Sequence, residues 1–136
     1  MANALSHVSV GTILTQAEYE LVTGSHAFAI EHHTADDTLA ITETGSIHTN
    51  LGEDGAVTLT LPQATATGCV FWFAVMTAQE LRIDPGAAGA IYINGAKQTD
   101  NMYISANDEG ESVMLVGDGN GDWVSLFATG TWTVEV

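Results

Sequence analysis

From Thr38 to the last residue, apolar and polar positions alternate in short runs that end on turn residues. In "AVTLTLP", Val57, Leu59 and Leu61 share one side and Thr58 and Thr60 the other, the period of a half-buried strand. Pro62 closes the run, because proline has no N–H for a sheet ladder. "CVFWFAVM" differs. It is apolar on both faces, with Phe71, Phe73 and Val75 on one and Val70, Trp72 and Met76 on the other. Such a strand needs cover on both sides, as a central sandwich strand or at a subunit interface. Val70, Phe71, Trp72 and Phe73 are therefore the candidate oligomer contacts.

"LRIDPGAAGAIYING" predicts a hairpin that turns at Asp84-Pro85-Gly86, points Ile91 and Ile93 inward, and meets its next turn at Asn94-Gly95. "ESVMLVGDGNGDWVSLF" predicts a second hairpin, with Val113, Leu115, Val124 and Leu126 lining a core. "GTWTVEV" places Trp132, Val134 and Val136 on one face. About nine to eleven short strands, with a turn signal roughly every ten residues, make an all-β fold. The expected form is a small antiparallel β-sandwich or barrel.

The first 35 residues break the pattern. Thr15 and Glu18 form a capping box, which predicts one short helix over Gln16 to Leu21, ended by Gly24. Little apolar periodicity surrounds it. Residues 1–35 are read as an N-terminal arm and residues 36–136 as the β body. A segment that buries little by itself orders by docking, and Val8, Val10, Ile13 and Leu14 are the arm's candidate contacts.

Charge narrows the partners. Against 17 acidic residues stand only Arg82 and Lys97, a net charge of −15. Such a surface repels phosphate backbones and anionic headgroups, so neither nucleic acid nor membrane is an expected partner. A basic protein surface is. "MANALSHVSVGT" lacks the basic and apolar regions of a signal peptide, and no segment nears the ~20 apolar residues of a membrane span. The expectation is a protein made in a cytoplasm. Cys69 is the single cysteine, so neither an intramolecular disulfide nor a cysteine zinc site can form, and it reads as a small hydrophobe.

Candidate chemistry is sparse. "GDGNGDW" puts Asp118, Asn120 and Asp122 at alternate positions, as a calcium loop begins. An EF-hand needs glycine sixth and a carboxylate twelfth, whereas counting from Asp118 gives Trp123 and Thr129. The glycines suit a tight reversal, and the stretch reads as a turn. A weak surface divalent site is the alternative. In "IEHHT", His32 and His33 face opposite ways on a regular strand and cannot chelate one ion together. Histidine ligands, His26 upstream among the candidates, could still converge around a symmetry axis, one per subunit, and surface imidazoles are the plainer reading. No serine sits in a nucleophile-elbow pattern, Cys69 looks buried, and most acids lie in turns. Neither a Walker loop nor a dinucleotide fingerprint is present. No enzymatic activity and no cofactor are expected.

The pieces "GAVTLTLP", "FWFAV", "LRIDP", "IYING", "GESVMLV" and "DWVSLFATGTW", in that order over about residues 36–133, resemble a β-rich module of tailed-bacteriophage structural proteins. That family occurs in capsid decoration proteins, tail fibres and baseplate parts. The resemblance implies a virion component and carries no catalytic residues. The expectation is a capsid decoration (cement) protein, a homotrimer on the outer capsid surface that bridges major capsid subunits. The alternative is a tail-fibre, baseplate or host-recognition protein binding a cell-surface glycan, with Tyr92, Tyr103 and Trp123 as candidate loop aromatics.

Overall fold

The computed structural model describes residues 28–65 and 68–136. The helix expected over Gln16 to Leu21 and the contacts Val8, Val10, Ile13 and Leu14 lie outside the described residues. In chain order the strands are β1 (Ile30–His32), β2 (Asp37–Thr38), β3 (Ser46–Thr49), β4 (Val57–Thr60), β5 (Val70–Ala74) and β6 (Leu81–Asp84). They continue with β7 (Ile91–Ile93), β8 (Ala96–Lys97), β9 (Ile104–Ala106), β10 (Ser112–Gly117), β11 (Trp123–Thr129) and β12 (Thr133–Val134). One 3-10 turn, Ile41–Glu43, is the sole helical element among the described residues. The fold is an all-β, two-layer sandwich. The larger sheet has the order β1-β3-β5-β10-β11-β7-β8 and the smaller β12-β9-β6-β4-β2.

The chain commutes between the layers. β1, β3 and β5 lie in the larger sheet, and β2, β4 and β6 in the smaller. Each strand therefore returns to its sheet two elements later, running the same way. The pairs β1–β3, β3–β5, β2–β4 and β4–β6 are all parallel, as is β7–β11. The other pairs are antiparallel, so both sheets are mixed where an antiparallel sandwich was expected. Alternate-layer winding supplies the long crossovers that parallel neighbours need.

The same winding corrects the first expected hairpin. Asp84-Pro85-Gly86 does turn, with Gly86 at φ 80° and its N–H on Asp84 Oδ1. It carries the chain from β6 across to β7 in the opposite sheet, so β6 and β7 are not a hairpin. The crossing loop runs tight against the β10–β11 turn. A Cβ at Gly89 would lie 2.8 Å from the carbonyl oxygens of both Pro85 and Gly121, a space only glycine fits. Asn94 and Gly95 both take positive φ and close the β7–β8 hairpin as a primed turn. β10 and β11 do form the second expected hairpin.

The core lies between the layers. Val57, Leu59, Leu81, Ile83 and Ile104 of the smaller sheet meet Phe71, Phe73, Leu115, Trp123 and Ile91 of the larger, all buried. Cys69, Ile93 and Val113 belong to the same cluster, the last two as their alternation predicted and Cys69 as a small hydrophobe. On β11 the prediction slips. A register shift opposite Met114/Leu115 pairs Met114 with Phe127 and Leu115 with Ser125. The skipped residue is Leu126, which is exposed; Val124, also expected inside, lies on the outer face, and Trp123 takes the core position instead. At the C-terminus Trp132 is buried and Val134 packs on the core, while Val136 is exposed.

β1 falls within the segment assigned to the arm, yet it is paired onto β3 and followed by buried His33. The sheet therefore reaches back to Ile30.

Candidate functional site

Side-chain alternation gives each sheet an outer face, and the two faces differ in chemistry. On the smaller sheet the outward positions across β4, β6, β9 and β12 are Thr58, Arg82, Ser105 and Thr133 in register. Thr38, Thr60 and Asp84 form the neighbouring row. That face is polar.

The outer face of the larger sheet is apolar over two of its three rows. Ile30, Ile47, Trp72, Met114 and Phe127 stand in one row across β1, β3, β5, β10 and β11. Ile30 is 55% exposed, Trp72 37% and Phe127 71%. Phe28 leans on Trp72 with ring centroids 5.4 Å apart. A second row holds Val70, Val116, Val124 and Tyr92, each partly or largely exposed. A third holds His32, Thr49, Ala74, Ser112 and Thr129. None of these outward positions carries a carboxylate, although the chain has 17 acids. A shallow groove between Ile47, Trp72, Ala74, Met114 and Phe127 runs along this face. Contiguous exposed apolar surface of this kind marks an interaction site.

The expected oligomer contacts divide accordingly. Val70 and Trp72 point outward. Phe71 and Phe73 do not: both are buried in the protomer's own core, because successive strand side chains take opposite faces. Ile30, Ile47, Met114 and Phe127 join Val70 and Trp72 instead. Sequence spacing alone could not find them, since their alignment depends on which strands are neighbours. Of the candidate glycan aromatics, Trp123 is buried, Tyr103 is half-buried under Arg82, and Tyr92 is exposed beside Lys97.

Electrostatics sharpen the contrast between the surfaces. Both basic side chains are occupied, Arg82 with Glu80 and Lys97 with Asp122, each at 2.6 Å. The hydrogen bond to Glu80 raises the Arg82 pKa, and the bond to Asp122 raises that of Lys97. The remaining acids leave the rest of the surface strongly negative.

The Asp118–Asp122 stretch is a turn whose carboxylates face backbone donors. Asp118 Oδ1 accepts from the Asn120 and Asp122 N–H groups, and the Asn120 bond leads in holding its pKa down. Asp122 Oδ1 accepts from Ala90 N–H while Oδ2 takes Lys97. Asn120 is exposed at the tip.

The histidines depart from the surface reading. His32 is exposed and bonds Thr49 Oγ1 through Nδ1. His33 and His48 are buried, His48 completely. Parallel pairing of β1 with β3 brings them together. His33 Nε2 lies 2.9 Å from His48 Nδ1, and His48 Nε2 lies 2.7 Å from Ser46 Oγ. Ser46 donates to the Glu43 carbonyl. Glu31 Oε2 comes within 4.0 Å of His48 Nδ1, and Asp37 Oδ2 within 3.5 Å of His33 Nδ1. Burial, then the neighbouring His33, lowers the His48 pKa.

Comparison with protein-family models and with curated proteins gives no match.

Proposed function

We propose that the chain is a structural protein of a tailed-bacteriophage virion: a capsid decoration protein, acting as a homotrimer without catalytic activity. The observation that carries this reading is the carboxylate-free apolar face of the larger sheet. On a molecule of net charge −15, like-charge repulsion opposes self-association least where carboxylates are absent. Copies of this chain can meet there, burying Trp72 and Phe127, and present their acidic surfaces outward. Those surfaces complement a basic capsid patch and favour docking rate and register. The order of the β segments, similar to that of phage virion modules, supports the same assignment. Each trimer would bridge adjacent capsid subunits, and binding to the folded shell alone stabilises it by mass action. Val8, Val10, Ile13 and Leu14 are assigned to capsid contact.

The test has two parts. Light scattering at micromolar concentration should give a trimer mass, and Phe127→Glu, a change at an exposed position, should give a folded monomer. Deleting residues 1–14 should leave a folded oligomer but weaken binding to undecorated capsids at least about tenfold, or about 1.4 kcal/mol. A wild-type monomer whose stability is independent of concentration refutes the assembly. Unchanged capsid binding by the truncation refutes the arm's role.

A further inference from the structure

We infer that Glu31, His33 and His48 form a binding site for a divalent transition metal of the zinc class, pinning β1 to the larger sheet. This inference stands apart from the virion reading. One ligand atom from each residue lies within 4.8 Å of the others. The hydrogen-bond chain decides which atoms are free. Ser46 Oγ gives its hydrogen to the Glu43 carbonyl, so it must accept from His48 Nε2–H. His48 Nδ1 is then a lone pair. It accepts from His33 Nε2–H at 2.9 Å, and the Glu31 carboxylate, another acceptor, faces it at 4.0 Å. Two acceptors thus converge on a space that holds a single proton. A satisfied histidine pair accounts for the burial of the rings but not for the carboxylate drawn in beside them.

The outer contacts suit a metal as well. Ligating histidines present their second ring nitrogen to a carboxylate, a carbonyl or a comparable polar group, which fixes tautomer and orientation. His48 Nε2 is anchored on Ser46, itself anchored on a carbonyl. His33 Nδ1 faces Asp37. When the ion enters, His33 changes tautomer: its Nε2 proton leaves to water and Nδ1 takes one from water, toward Asp37, so the ring's charge is unchanged. Two nitrogens on a tetrahedral zinc at 2.0–2.1 Å stand about 3.3 Å apart, so the rings need separate by only a few tenths of an ångström. Glu31 is exposed and can swing to complete the set. Glu31 and Ser46 also line an open cleft with Ala29, Thr42, Glu43 and Thr44, so the carboxylate ligand is reached from solvent. Two imidazoles and a carboxylate favour zinc, cobalt or nickel over calcium or magnesium.

The probe is zinc chloride titrated calorimetrically into the full-length, chelator-treated protein, with cobalt absorption reporting geometry. The expected result is one zinc per chain, tetrahedral cobalt bands and a raised thermal midpoint. Glu31→Gln, at an exposed position, should stay folded by circular dichroism and bind at least about tenfold more weakly. His33→Asn should abolish binding, and if it fails to fold, Glu31→Gln alone decides. The His7→Ala/His26→Ala double variant should bind as the wild type does. Absence of stoichiometric binding at 0.1 mM zinc, or undiminished affinity in Glu31→Gln, overturns the site.

Discussion

Glu111 offers a sharp test of how the sandwich is held shut. It precedes β10 and is 8% exposed. Its Oε2 accepts the N–H groups of Asn107 and Asp108, both at 3.0 Å, and its Oε1 accepts that of Thr131. One carboxylate therefore ties the β9–β10 loop to the β11–β12 connection. These backbone donors, Thr131 first, hold its pKa below the ordinary 4.5. Glu111→Gln keeps the shape and removes an acceptor. Its NH2 must face either Thr131 N–H or the Asn107–Asp108 pair, and neither can accept. An orphaned buried donor costs about 1–3 kcal/mol, and the surviving bonds lose the roughly twofold strength that charge lends them. A total near 3 kcal/mol corresponds to a midpoint drop of about 10 °C for a chain of this size. Urea unfolding at matched protein concentration should show a lower midpoint at unchanged slope. The acid limb gives an independent check. A lowered folded-state pKa means the carboxylate's contribution is fully present above the unfolded value of 4.5 and is lost as pH falls through the folded value. The gap between wild type and Glu111→Gln should therefore be widest at neutral pH and close in acid. A cost under about 1 kcal/mol at neutral pH, or a gap that persists unchanged into acid, refutes the reasoning.

Three further substitutions probe the loops. Asn50 is buried and makes four bonds, donating to the Thr77 and Gln79 carbonyls and accepting from the Met76 and Thr77 N–H groups. Asn50→Asp sets a carboxylate against both carbonyls and should cost about 3 kcal/mol or more by urea unfolding; a near-neutral result would mean the loop rearranges freely. Gly89→Ala meets two backbone oxygens at 2.8 Å, neither of which can swing aside, and should cost about 1–3 kcal/mol. Gly95→Ala meets no atom within 4 Å but sits at φ 80°, and should cost about 1 kcal/mol. The reverse order in thermal melts would show that close packing at the β6–β7 crossing is not what Gly89 serves.

Strand faces were legible in the sequence because side chains alternate with period two whatever the partner. Val57, Leu59 and Leu61 needed no neighbour to be assigned inward. The partner strands were not legible. A strand in the other layer and a hairpin partner bury the same residues, so Asp84-Pro85-Gly86 could be read either way, and only the crossing to β7 decides. The same gap explains "CVFWFAVM". Alternation separated Phe71 and Phe73 from Val70 and Trp72, but both sets are apolar, and the pattern does not say which faces the second sheet. The bulge at Leu126 is a further step removed, since one skipped residue reverses every face beyond it. His33 and His48 show the consequence for function. They lie 15 residues apart in the chain and share no motif. They meet because β1 and β3 lie side by side and parallel, with β2 in the other layer. The apolar rows have the same origin, for Ile30 aligns with Phe127 only through three intervening strands. Both candidate sites are therefore products of alternate-layer winding. A change that disturbed the β1–β3 pairing would strip Glu31 and His33 from the cluster and Ile30 from the row at once. Zinc affinity and self-association should fall together in such a variant, whereas Phe127→Glu should affect association alone.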